Sequence, residues 1–175
     1  MGVRTYVRLT AGIAAVAVLG VGAAATAHGN KRGFSERLSG FQEVPALSSS
    51  GFGTFRAHVD RRDGEIDWRL SFDNLESAVT QAHIHFENAT NNGPIVVFLC
   101  SNLGNGPAGT QACPADGGTI RGTITAAQIG GGGAAQGLEA GNFDEFVRAL
   151  RSGATYVNVH STGRPGGEIR AQIND

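Results

Sequence analysis

Thr54-Phe55-Arg56-Ala57-His58-Val59-Asp60 is followed by Arg61-Arg62-Asp63-Gly64 and then by Glu65-Ile66-Asp67-Trp68-Arg69-Leu70-Ser71-Phe72-Asp73. Phe55, Ala57 and Val59 alternate with Thr54, Arg56, His58 and Asp60. Ile66, Trp68, Leu70 and Phe72 alternate with Asp67, Arg69, Ser71 and Asp73. A period of two belongs to a strand with one buried face. The Asp-Gly pair between the two runs is a turn signal, so the stretch predicts an antiparallel hairpin.

The same period extends outward. Strands are expected at Val79 to Phe86, Ile95 to Cys100, Thr119 to Thr125, Thr155 to Ser161 and Glu168 to Ile173, with an edge segment from about Arg37 to Val44. The wholly apolar run from Ile95 to Cys100 reads as a central strand. About eight short strands with Gly-rich turns predict an all-β sandwich or barrel. One helix interrupts them. Phe143, Phe146, Val147 and Leu150 form an apolar stripe, with Asn142 as cap, Glu145 placed for a capping box and Gly153 as stop. This helix is expected to lie across one open end of the sandwich. Gly130 to Gly133 reads as a mobile loop.

Arg4 and Arg8 precede an apolar run from Leu9 to Ala25, and Ala25-Thr26-Ala27 has the small-x-small pattern of a cleavage site. Residues 1–27 are therefore read as a secretory signal peptide, 28–35 as a polar, flexible lead-in and 36–175 as one domain. The alternative for the first segment is an uncleaved anchor. No later segment is long and apolar enough to cross a membrane as a helix. Cleavage leaves 148 residues (175 less 27), a size suited to one core. Losing Arg4 and Arg8 takes the formal charge from −1 to −3, which provides no footprint for nucleic acid. The expected location is outside the cell or in its envelope, with an extracellular ligand or protein as partner. Cys100 and Cys113 fit one disulfide in an oxidising compartment, the alternative being a two-cysteine metal site.

The chemistry centres on histidine. His83 and His85 leave one face of their strand together, about 7 Å apart along it. Tyr156, Asn158 and His160 share the polar face of another. If the two strands meet, three imidazoles can bind copper or zinc. The plain alternative is polar strand surface. His58 shares a face with Arg56 and Asp60 and reads as solvated. His28 would head the cleaved chain and reads as part of the lead-in. Glu168 and Arg170 are expected to face away from the core with Glu43 near them, either as an ion pair or as part of a polar site with the histidines. No serine nucleophile motif and no phosphate loop is present.

The chain resembles the CHRD domain, a module named for chordin and found also in secreted microbial proteins. The motifs that carry the resemblance are Leu38-Ser39-Gly40-Phe41-Gln42-Glu43-Val44-Pro45, Ala82-His83-Ile84-His85, Gly93-Pro94-Ile95-Val96-Val97-Phe98-Leu99, Tyr156-Val157-Asn158-Val159-His160 and Gly166-Gly167-Glu168-Ile169-Arg170-Ala171-Gln172. They cover about residues 36 to 173. The resemblance implies an immunoglobulin-like or Greek-key sandwich or barrel and a binding or structural role, without an assigned activity. The His-x-His strand and the late Val-x-Val-His strand are also similar to the copper half of a Cu/Zn superoxide dismutase. That similarity implies His83, His85 and His160 as copper ligands, Arg164 as a guiding cation and a copper-dependent redox activity as the alternative function. The departures are the lack of a His-rich loop between Phe86 and Ile95 and of any histidine between His85 and His160.

Overall fold

The computed structural model describes residues 1–3 and 32–174. Most of the expected leader, His28 and half of the lead-in lie outside the described residues. Among the described residues eight strands run in order: β1 Gly33–Ser39, β2 Phe52–Asp60, β3 Glu65–Asp73, β4 Val79–Phe86, β5 Ile95–Ser101, β6 Gly118–Ile124, β7 Thr155–Ser161 and β8 Ile169–Ile173. The one α-helix among the described residues, α1 Phe143–Arg151, precedes β7.

All eight strands form one antiparallel sheet in the order β5-β4-β7-β8-β1-β2-β3-β6. The connections from β3 to β4 and from β6 to β7 join strands that are not neighbours, while β5 to β6 bridges the two ends of the sheet, so the topology is Greek-key rather than a meander. The sheet curls into a nearly closed barrel. At the seam between β5 and β6, the Gln111 amide donates to Leu99 O at 3.2 Å and to Arg121 O at 3.1 Å, so one side chain spans the gap.

The hairpin forms as its pattern dictates. β2 and β3 pair from Phe52↔Asp73 to Asp60↔Glu65, and Gly64 takes a left-handed φ of 68° in the turn. Phe55, Val59, Ile66, Leu70 and Phe72 are buried, while Arg56 and His58 are exposed. Truncating a fully buried Phe55 or Leu70 to alanine costs about 3–5 kcal/mol. The disulfide Cys100–Cys113 is formed, with Cα atoms 5.1 Å apart.

Several expectations are corrected. Gly33 to Ser35 belong to β1, where Phe34 is buried, rather than to a flexible lead-in. β1 is not an edge, because β8 and β2 flank it. It also ends at Ser39, and a 3-10 turn follows over Gly40–Gln42. β5 is a terminal strand of the sheet, not a central one. Its apolar run is explained by cover from outside the sheet. Gly130 to Gly133 is not a mobile loop, since Gly131–Gln136 is a 3-10 helix laid on β5. A Cβ at Gly132 would stand 2.0 Å from Ile95 O, so glycine there serves close approach. In α1 the Asn142 side chain accepts from Glu145 N–H at 3.2 Å. The Glu145 carboxylate pairs with Arg148 instead of returning to the cap. Phe146, Val147 and Leu150 enter the core.

Candidate metal centre

β4 lies between β5 and β7, and its two faces differ. Ala82 and Ile84 point into the core, while His83 and His85 leave by the other face. β7 runs antiparallel beside β4 with Ile84↔Val157, His83↔Asn158, His85↔Tyr156 and Gln81↔His160 in register. The pleat therefore sends Tyr156, Asn158 and His160 to the same side as His83 and His85.

That side was expected to be a polar surface, and this is corrected. Every residue of β7 and β8 is buried. The loop Glu87 to Gly93 and the turn before β8 lie over the polar face and supply its hydrogen bonds. His85 Nδ1–H donates to Gly93 O at 2.8 Å, and Gly93 N–H donates to the Tyr156 hydroxyl at 3.1 Å. His160 Nδ1–H donates to Pro165 O at 2.9 Å. The Gln172 amide donates to Glu87 O at 2.9 Å and to Gly153 O at 2.7 Å.

The three histidines converge. One donor nitrogen from each lies within 4.8 Å of the others. His83 Nδ1 is 3.2 Å from His160 Nε2. His83 Nε2 and His85 Nε2 are buried and have no hydrogen-bond partner. Burial, with a smaller effect from His160 and then His85, drives His83 down to about 2. Burial also brings His85 down to about 4, against the opposing pull of the Gly93 carbonyl and the Asn158 amide. It lowers His160 as well. All three rings are thus neutral at pH 7, the form that ligates metal. The backbone carbonyls of Gly93 and Pro165 fix two of the rings through their far nitrogens, as outer partners of metal-binding histidines do. Phe98 closes one side, edge-to-face on His83 at 4.5 Å between centroids.

The other expected neighbours take different places. Arg170 is fully buried. Its guanidinium sits 3.4 Å from the Tyr156 ring centroid and donates to Asn88 O, Asn91 O and Asn92 Oδ1 at 3.0–3.1 Å. Glu168 is buried too, but among the described residues its carboxylate forms no ion pair. It accepts from Ser49 Oγ and Glu76 N–H, each at 2.7 Å, and from the Ser161 hydroxyl. Arg164 pairs with Glu76 at 2.9 Å, so its charge is already engaged. Glu43 is buried with Oε1 unpartnered. Burial pushes it up to about 7, while Arg170 and the Val44 backbone pull it down. A cleft of about 410 Å³ runs between Glu43 to Leu47 and Gly163 to Gly167, beside the histidine face. His58 is on β2, exposed and apart from the cluster.

Tyr156 and Asn158 did not count as site residues on sequence alone. The signal was present: both alternate with Val157 and Val159 on the face that carries His160. What concealed them was the assumption that this face meets water.

No curated protein and no solved structure matches the chain. The CHRD domain model matches residues 34–173, from β1 to the end of β8 and including both histidine strands. With that much of its length accounted for, the chain belongs to the CHRD domain family.

Proposed function

We propose that this is an exported CHRD-domain module with a binding role, in which His83, His85 and His160 hold one copper or zinc ion. The observation that carries the reading is the pair of buried, partnerless nitrogens, His83 Nε2 and His85 Nε2, in a cluster whose donor atoms lie within 4.8 Å. Unsatisfied buried polar atoms cost about 1–3 kcal/mol each, and coordination removes that cost. Neutral imidazoles suit copper and zinc. Bound there, such an ion would supply Lewis acidity or, for copper, electron transfer.

Purified protein should bind one equivalent of copper or zinc, and His83→Ala or His160→Ala should abolish it. Stoichiometric binding retained in both variants would refute the site. Superoxide turnover by the copper-loaded protein separates a redox enzyme from a binding module. Export predicts His28 as the first residue of the mature chain by mass spectrometry, and a retained Met1 would instead indicate an anchor.

A further inference from the structure

The histidine cluster contains a fourth donor. Asn158 lies opposite His83 in the β4–β7 register and is 97 % buried (3 % exposed). Its Oδ1 is 3.1 Å from His160 Nε2. His160 has committed its Nδ1 proton to Pro165 O, so a neutral ring presents a lone pair at Nε2. His83 Nδ1 approaches that same Nε2 at 3.2 Å. Two acceptors facing each other at 3.1 Å repel unless a proton or a cation stands between them.

The other end of the amide lies beside Gly167. Asn158 Nδ2 and Glu43 Oε1 both flank the point where a Gly167 Cβ would stand, at 2.8 and 2.6 Å. Among the described residues Glu43 Oε1 has no hydrogen-bond partner and so does not bond this Nδ2; the amide sets Nδ2 beside Gly167 and Oδ1 against His160.

Building on the three-histidine reading, we infer that Asn158 Oδ1 is the fourth ligand, making a three-nitrogen, one-oxygen site that selects a divalent ion, Zn²⁺ or Cu²⁺, over Cu⁺. An amide oxygen is a hard donor, and Cu⁺ favours soft sulfur ligands, of which the cluster has none. Three imidazoles alone would leave a fourth coordination position to water, and Asn158 Oδ1 fills it.

Affinities for Zn²⁺, Cu²⁺ and Cu⁺ are measured by competition with chelators specific to each ion, on the full mature protein. Asn158→Leu keeps the volume and removes the oxygen. It should weaken Zn²⁺ and Cu²⁺ by about tenfold or more and change Cu⁺ by less than about threefold. Asn158→Asp keeps the oxygen and adds charge, and should bind Zn²⁺ more tightly than the parent; this variant decides the matter if Asn158→Leu does not fold. Unchanged Zn²⁺ affinity in both variants, or an equal loss for all three ions in Asn158→Leu, overturns the fourth ligand while leaving the three-histidine site standing. A parent protein that binds none of the ions overturns both.

Discussion

Tyr156 lies flat against His85, their rings parallel to within 3° and their centroids 4.6 Å apart. The two residues are directly opposed across β4 and β7. On the other face of Tyr156 sits the Arg170 guanidinium, at 3.4 Å. Three planar groups from three adjacent strands thus form one stack, and the histidine at one end of it, His85, is a candidate ligand. The Tyr156 hydroxyl and the His85 Nδ1–H both bind Gly93, one at its N–H and the other at its carbonyl. His85 is therefore held from its face and from its edge.

Tyr156→Phe keeps the stack and loses only the Gly93 contact, so it should cost about 1–2 kcal/mol. Tyr156→Leu also loses the ring on His85 and the face under Arg170, and should cost about 3–5 kcal/mol. Urea unfolding checks both. Equal losses in the two variants would mean the stack contributes nothing.

Stability of the metal-free protein should fall as the medium is acidified from pH 6.5 to 4.5. His83 and His85 have folded values near 2 and 4 against an ordinary 6.5, so below 6.5 the unfolded chain takes up their protons first. Each then removes about 1.4 kcal/mol per pH unit. Glu43 acts in the opposite direction. Its folded value near 7 lies above the ordinary 4.5, so its contribution is complete below pH 4.5 and is lost as pH rises through 7. In the shared window His83 and His85, joined by His160, which burial also lowers, outweigh one glutamate, for a net loss of at least about 1.4 kcal/mol per unit on acidification. A urea midpoint that is flat or rises toward pH 4.5 would contradict this balance.

Gly167→Ala should be strongly destabilising. Its φ of 123° is outside the range of ordinary side chains, and the new Cβ would meet Glu43 Oε1 at 2.6 Å and Asn158 Nδ2 at 2.8 Å. Strain and overlap together should cost about 2–4 kcal/mol. Gly166→Ala, next to it with open space around its Cβ position, is the control. Similar melting temperatures for the two variants would disprove the crowding.

The Cys100–Cys113 bond closes a loop with a sequence separation of 13. Replacing both cysteines by serine should cost about 3 kcal/mol in chemical denaturation. The unreduced, unfolded parent should show no reactive thiol, because no cysteine is free. Two labelled thiols would rule the bond out.

The alternation of residues along the chain determined the all-β class, the hairpin at Arg61 to Gly64, the extents of β4 and β7, and the direction in which His83, His85 and His160 point. These are local matters: the pleat sends every second side chain to one face whatever lies beyond it. Tertiary structure alone decided what covers that face. Alternation cannot distinguish a polar face turned to water from one roofed by the Glu87 to Gly93 loop, and so Arg170, Glu168 and Asn158 read as surface when they are buried. Strand neighbours were likewise beyond it, since β4 meets β7 only through contacts about 75 residues apart, between His83 and Asn158. That pairing, with the roof above it, changes three separate polar residues into one dry cluster of imidazoles.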